Sequence, residues 1–168
     1  LAAVLDPAQR ETVLARLAAQ EAATGTQIAV LLLPSTQPED IAAYAFRVAD
    51  QWKIGRADVG DGVLIVVGTA DRRMRIEVAR TLEGAIPDLA ASRIIDETLR
   101  PAFRQGDYAG GLVAAIGQLE GLVRGEALPP PPDGSGGASA NSGSSFFDLE
   151  DLVMFFFVAV AAVAQLLT

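Results

Sequence analysis

Residues 60–78 read GDGVLIVVGTADRRMRIEV, and this stretch decides the fold. Gly62 to Val67 is a continuous apolar run rich in β-branched residues, which predicts a strand buried on both faces. Residues 69–73 have the polarity of a turn. Met74, Ile76 and Val78 then alternate with Arg73, Arg75 and Glu77, the period of a strand with one face toward water. Two such runs joined by a short polar turn predict an antiparallel hairpin.

Upstream, Ile28 to Leu33 is a second continuous apolar run, closed by Pro34, and Gln27 to Leu33 reads as another buried strand. Between the two lies a predicted helix from about Pro38 to Trp52, with Ile41, Ala45, Val48 and Trp52 on one stripe and Gly55 stopping it. A strand, a helix and a strand in that order favour a right-handed parallel crossover. Farther upstream, Asp6 caps a helix that has Pro7 at its first position, Gln9 three residues after the cap, and Val13, Leu14 and Leu17 at helical spacing before Gly25. Downstream, one helix is predicted from Pro87 to Leu99, where Pro101 interrupts it, and a last one from about Tyr108 to Val123. Residues 1–125 therefore read as an α/β domain, a small mixed β-sheet sandwiched by helices, with no internal repeat.

Composition narrows the chemistry. Of 168 residues 51% are hydrophobic, 13 are basic and 21 acidic, and none is cysteine or histidine. This excludes a Ser-His-Asp triad, a thiolate nucleophile, an imidazole base, a Cys/His zinc site and disulfides. Carboxylates, hydroxyls, guanidinium groups and the single lysine, Lys53, are left. A formal charge of −8 disfavours a nucleic-acid groove, which calls for clustered Lys and Arg.

All the basic residues lie at or before Arg124, whereas Asp133, Asp148, Glu150 and Asp151 make the remainder wholly acidic. Residues 126–147 include Pro129 to Pro132 followed by DGSGGASANSGSS, which reads as a stiff polyproline stub leading into a flexible linker. Residues 148–168 hold an apolar run, Leu152 to Leu167, in which only Gln165 is polar. Its length, roughly 24 Å as a helix, predicts one short or truncated transmembrane helix. The flank before it is acidic and lacks Lys and Arg, so the globular part is expected on the extracytoplasmic, periplasmic or extracellular, side. A first residue of leucine fits a removed signal peptide and an engineered start equally well.

Several acidic residues fall at predicted element ends, where loops of one sheet edge can converge. Asp58 and Asp61 precede the second strand, Glu83 follows the third, and Asp88 and Asp107 open helices. Carboxylates among glycine carbonyls suit hard cations, Ca²⁺ or Mg²⁺. Taken singly, Asp88, Asp107 and Asp61 are better explained as helix caps and a turn residue, and only convergence in space would reverse that. Arg72, Arg73 and Arg75 form a basic cluster that could be an anion site, but the reading as a solvated hairpin is favoured because Asp71 and Glu77 dilute it. Tyr44, Phe46 and Trp52 are expected to fill a core rather than form a ligand platform. Ser35 and Thr36 have no basic partner to activate them.

The succession TGTQIAVLLLP, IAAYAFRVADQWKIG, GDGVLIVV, DRRMRIEV, LEGAIPD, RII and PAFRQGDYAGGL resembles the TPM domain family, also labelled TPM phosphatase or YgcG-like, from about Leu5 to Val123. The resemblance implies an exported α/β domain, commonly tethered by a C-terminal membrane helix. In some members it implies divalent-cation binding and a weak acid phosphatase activity, in others an accessory or assembly role. By position, Asp61 and Gly62 fall in the family's Asp-Asn-Gly turn, Glu83 and Gly84 in its Gly-Tyr-Gly-Leu-Glu-Gly stretch, and Asp88 in the acidic position after it. Here the turn is Gly60-Asp61-Gly62 and the stretch is Ala79-Arg80-Thr81-Leu82-Glu83-Gly84, which places a permanent cation where an aromatic usually stands. Such a cation opposes a second one and suits an anionic ligand.

The leading expectation is a membrane-tethered extracytoplasmic accessory or protein-interaction module with a degenerate cation site. In the alternative, an Mg²⁺- or Ca²⁺-dependent acid phosphatase, Asp61, Glu83 and Asp88 would hold the metal and Arg80 would bind a phosphate oxygen. A structural calcium-binding domain without catalysis is the third expectation.

Overall fold

The computed structural model describes residues 4–57 and 59–125. The expected linker, transmembrane helix and acidic flank fall outside them, as does Asp58. Among the described residues no helix is long and apolar enough to cross a membrane.

Helix α1 spans Pro7–Thr24. Asp6 accepts from the Gln9 backbone N–H at 2.8 Å while Gln9 Oε1 accepts from the Asp6 N–H at 3.0 Å, a reciprocal cap that satisfies two donors the helix start would leave orphaned. Gly25 ends it with φ of 72°, a left-handed value that glycine adopts without penalty. Strands β1 (Gln27–Leu33), β2 (Gly62–Gly68) and β3 (Arg73–Val78) form one sheet in that order. β1 runs parallel to β2, with Gln27 opposite Gly62 and Leu33 opposite Gly68. β2 and β3 are antiparallel, as expected of the hairpin.

The central strand is buried along its whole length, and its alternation feeds two cores. Val63, Ile65 and Val67 face one core with Ile76, Ile94, Leu112, Ile116 and Leu119, while Leu64 and Val66 face another with Ile41, Ala45 and Val48. Helices thus cover both faces: α1, α3 (Asp88–Ile94) and α5 (Tyr108–Val123) on one side and α2 (Ile41–Trp52) on the other. The mixed α/β sheet between helices matches the expected fold class. Arg16 and Arg124 both pair with Glu120, which links α1 to the end of α5.

Four local expectations are corrected. β1 is only partly buried at most positions, because it is an edge strand whose apolar run lacks a neighbour on one side. α2 starts at Ile41 behind an Asp40 cap and ends at Lys53, with φ of 50°, before Gly55 is reached. Leu14 and Trp52 are about half exposed, so helical spacing alone did not bury them. Finally, Pro101 does not end the helical path. A π-helical turn at Ile95–Leu99 comes first, in which the Arg100 N–H bonds to Ile95, and α4 (Arg100–Arg104) continues through the proline. The wider turn accommodates a residue that has no N–H to give and a ring that would clash with the carbonyl four residues back.

Candidate functional site

Two of the expected site segments meet at one edge of the sheet. Asp61 immediately precedes β2, and the chain leaving β3 passes through a 3₁₀ turn at Arg80–Leu82 to Glu83. The Ala79 N–H donates to the Gly62 carbonyl at 2.9 Å and the Thr81 hydroxyl to the Gly60 carbonyl at 2.8 Å, so the two loops are tied together. Gly55 and Gly62 let a third segment cross beneath them. A Cβ on Gly62 would lie 2.1 Å from the Ile54 carbonyl oxygen, and Gly55, at φ of 103°, donates its N–H to Gln27 Oε1 at 2.7 Å.

Asp61 is a buried carboxylate, its side chain only 3% exposed, and one residue satisfies it. The Arg56 backbone N–H donates to Oδ1 at 2.9 Å, while Nε and Nη2 of the same arginine donate to Oδ2 at 2.9 and 2.6 Å. These bonds hold the guanidinium proton more tightly than usual: hydrogen bonding to Asp61 outweighs the opposing effect of burial, and the carboxylate's charge adds to it least. The guanidinium also lies against Gly25, where an added Cβ would be 3.3 Å from Nη1. That is the C-terminal end of α1, where the helix dipole favours a cation. Glu21, on the last turns of α1, has its carboxyl pKa raised, first by burial and then by the charge of Asp61. This edge therefore holds two neighbouring carboxylates with one guanidinium between the chain segments that carry them.

The remaining expected residues are placed differently. Arg80, Glu83 and Asp88 are all exposed. Glu83 caps the 3₁₀ turn, and Asp88 opens α3. Asp107 caps α5, accepting from the Gly110 N–H at 2.8 Å. Among the described residues no three Asp or Glu side chains gather into a group that could hold a metal ion. A three-carboxylate cage for Ca²⁺ or Mg²⁺ does not fit the side chains as they stand, since the buried member already has its oxygens turned to Arg56.

Of the aromatic trio, Phe46 and Trp52 are exposed, while Tyr44 packs against the α2 core and lies under the Arg47 guanidinium at 5.0 Å. The arginine cluster divides. Arg75 pairs with Glu77 at 3.1 Å, whereas Arg72 and Arg73 stand on the opposite sheet edge from Asp61, at the β2–β3 turn. Ser35 and Thr36 also lie at that far edge, donating to Asp71 from the hydroxyl at 2.7 Å and the backbone N–H at 3.0 Å.

Sequence reasoning missed Arg56 and Glu21. Arg56 had a signal: it is the one cation in the glycine-bounded loop Gly55–Gly62 that also carries Asp61. Glu21 had none, because its helix gives no hint that its carboxylate lies near a loop far along the chain.

Comparison with known proteins adds the following. The family model described as the TPM domain matches residues 1–122. The chain is similar to the solution structure of the N-terminal domain of a protein from P. gingivalis, at 33% identity, covering 73% of this chain and 78% of that one, with a TM-score of 0.65. It is also similar in fold to the BA42 protein of the psychrophilic bacterium Bizionia argentinensis, at 20% identity, 74% and 85% coverage and a TM-score of 0.67. The N-terminal domain of the cg2496 protein of Corynebacterium glutamicum shares the fold at 14% identity, 84% coverage of each chain and a TM-score of 0.54. No curated protein matches the chain.

Proposed function

From the premise that this chain belongs to the TPM domain family, shown by the match over residues 1–122, we propose that it is an accessory or protein-interaction domain, held to a membrane by its C-terminal apolar run and facing the extracytoplasmic side. The observation that carries this reading is the Arg56–Asp61 pair. A carboxylate that takes three N–H groups from one residue, two of them cationic, is neutralised from within the chain. Recruiting it to a divalent cation would mean displacing a guanidinium that, among the described residues, has no other ion-pair partner.

Exposed apolar side chains on the loop that carries Asp61 and in the first turn of α3 supply what a partner protein could cover. Val59 lies in the Arg56–Asp61 loop and Leu89, 76% exposed, follows Asp88. The tether rests on sequence: the run Leu152 to Leu167 behind a Pro-, Gly- and Ser-rich linker, and an acidic flank that favours the extracytoplasmic side.

The alternative, an Mg²⁺- or Ca²⁺-dependent phosphatase, draws on the exposed Arg80 beside Glu83, a cation and an anion on one short turn facing solvent. One experiment separates the two. The chain is assayed against phosphomonoesters with Mg²⁺ and with Ca²⁺. The accessory reading expects no appreciable turnover. Robust turnover that disappears in Asp61→Asn or Glu83→Gln would replace it with the phosphatase, and a cation-dependent rise in melting temperature without turnover would favour structural calcium binding.

A further inference from the structure

At the sheet edge opposite Asp61, the β2–β3 turn and α4 enclose a cleft of about 380 Å³. Four guanidinium groups line it, from Arg72 and Arg73 on the turn and Arg100 and Arg104 on α4. On a chain of formal charge −8, a cleft with four arginines and no Asp or Glu among its described lining residues runs against the overall balance. Ligands of open α/β sheets bind outside the carboxyl ends of the parallel strands, and both β1 and β2 end here.

The charge in the cleft is available. Among the described residues Arg72 and Arg104 have no ion-pair or hydrogen-bond partner. Arg73 reaches Asp40 only at 3.8 Å, with both side chains more than half exposed. Arg100 pairs with Asp96 one helical turn away, a surface pair of the kind that contributes a few tenths of a kcal/mol and yields to a better anion.

The site is also rigid on the strand side. Thr69 and Ala70 donate their N–H groups to the Leu33 and Pro34 carbonyls at 2.9 and 2.8 Å, and Asp71 is held by Ser35 and Thr36. Asp71 therefore spends its hydrogen bonds on fixing the turn. Arg72 is kept at φ of 54°, a left-handed conformation that a side-chain-bearing residue adopts only when its surroundings impose it. On the helix side Phe103 and Tyr108 pack ring against ring, centroids 4.7 Å apart, and with Met74 supply an apolar wall. Four arginines lining a partly apolar cleft offer the donors that phosphate oxygens accept, and guanidinium binds phosphate in bidentate fashion.

We propose that this cleft binds the phosphate groups of a polyanionic ligand through Arg72, Arg73, Arg100 and Arg104. The same chemistry is offered by a free diphosphate compound and by the headgroup of an anionic lipid. The proposal stands apart from the accessory role, since it uses none of the residues around Asp61.

The test uses the full chain in non-ionic detergent, titrated calorimetrically with inorganic pyrophosphate, and the same chain in flotation with phosphatidylglycerol or phosphatidylcholine vesicles. The variants are Arg72→Gln/Arg104→Gln, both at exposed positions, and Arg47→Gln, which removes a single charge from α2 at a residue that does not line the cleft. A free ligand predicts pyrophosphate binding that weakens about a hundredfold in the double variant, a decade for each charge-assisted contact, and stays unchanged in Arg47→Gln. A lipid headgroup predicts that the preference for phosphatidylglycerol over phosphatidylcholine falls in the double variant alone, the apolar tail contributing equally to both vesicles. If the double variant matches the unaltered chain with both probes, the cleft is not a phosphate site.

Discussion

Removing the Arg56 guanidinium should destabilise the domain more than removing the charge it neutralises. Arg56→Gln leaves Asp61, 3% exposed, with a single backbone N–H as its fixed donor. Breaking a fully buried ion pair from one side costs about 3–5 kcal/mol. Arg56 is 47% exposed, so water can enter the space it leaves, which lowers the expected loss to about 2 kcal/mol. Asp61→Asn keeps the shape and the acceptor for the Arg56 N–H. It turns an amide toward the guanidinium at one oxygen position, and a half-exposed arginine can find water instead, so about 1–1.5 kcal/mol is expected. The double variant, with an amide at each position, has no stranded charge and should lose no more than about 1.5 kcal/mol. The coupling between the two sites is then about 2 kcal/mol, well outside the few tenths seen for independent sites. For a domain of this size 2 kcal/mol corresponds to roughly 8 °C in melting temperature. Urea unfolding of the four chains in non-ionic detergent, followed by Trp52 fluorescence, measures the cycle. If the two single losses simply add, or if Arg56→Gln leaves the midpoint where it was, the pair does not neutralise this edge.

Three further outcomes are expected. Gly62→Ala should lose several kcal/mol or fail to fold, because the new Cβ would meet the Ile54 carbonyl oxygen at 2.1 Å and both are backbone-fixed; the soluble yield and melting temperature report it. Ile65→Ala, in the wholly buried central strand, should lose about 2–5 kcal/mol in the same urea assay. Glu21 has a raised pKa in the fold, so its contribution favours the folded state below its ordinary value of 4.5 and is lost as pH rises through the raised one. Glu21→Gln should therefore raise the melting temperature at pH 7, and the gain should vanish when the melts are repeated below about pH 4.5.

The sequence made α1, the hairpin and α5 legible because each carries a local cause. Asp6, Pro7, Gln9 and Gly25 specify both ends of α1, and the change from a continuous to an alternating apolar pattern between Val67 and Met74 separates a central strand from its neighbour. What stayed hidden depended on packing partners. The apolar content of β1 says nothing about its place at the sheet edge, and the spacing of Trp52 does not reveal that α2 turns it to solvent. Pro101 read as a stop because the π-helical turn that accommodates it leaves no mark in composition. At the candidate site the loops around Asp61 and Glu83 were legible as neighbours. The partner of Asp61 was not, since a search for ligands collected carboxylates and passed over the arginine five residues away. The far-edge cleft shows the same limitation: Arg72 and Arg73 were visible as a cluster, but only the fold brings Arg100 and Arg104 to them.

A Ca²⁺ titration followed by amide chemical shifts tests most directly whether Arg56 stands where a metal would otherwise be needed. Up to millimolar Ca²⁺, the amides of residues 60–62 and 83–88 should stay in place. Saturable movement of both segments together, reduced in Asp61→Asn, would show that the carboxylate exchanges its guanidinium for a metal and would contradict the account.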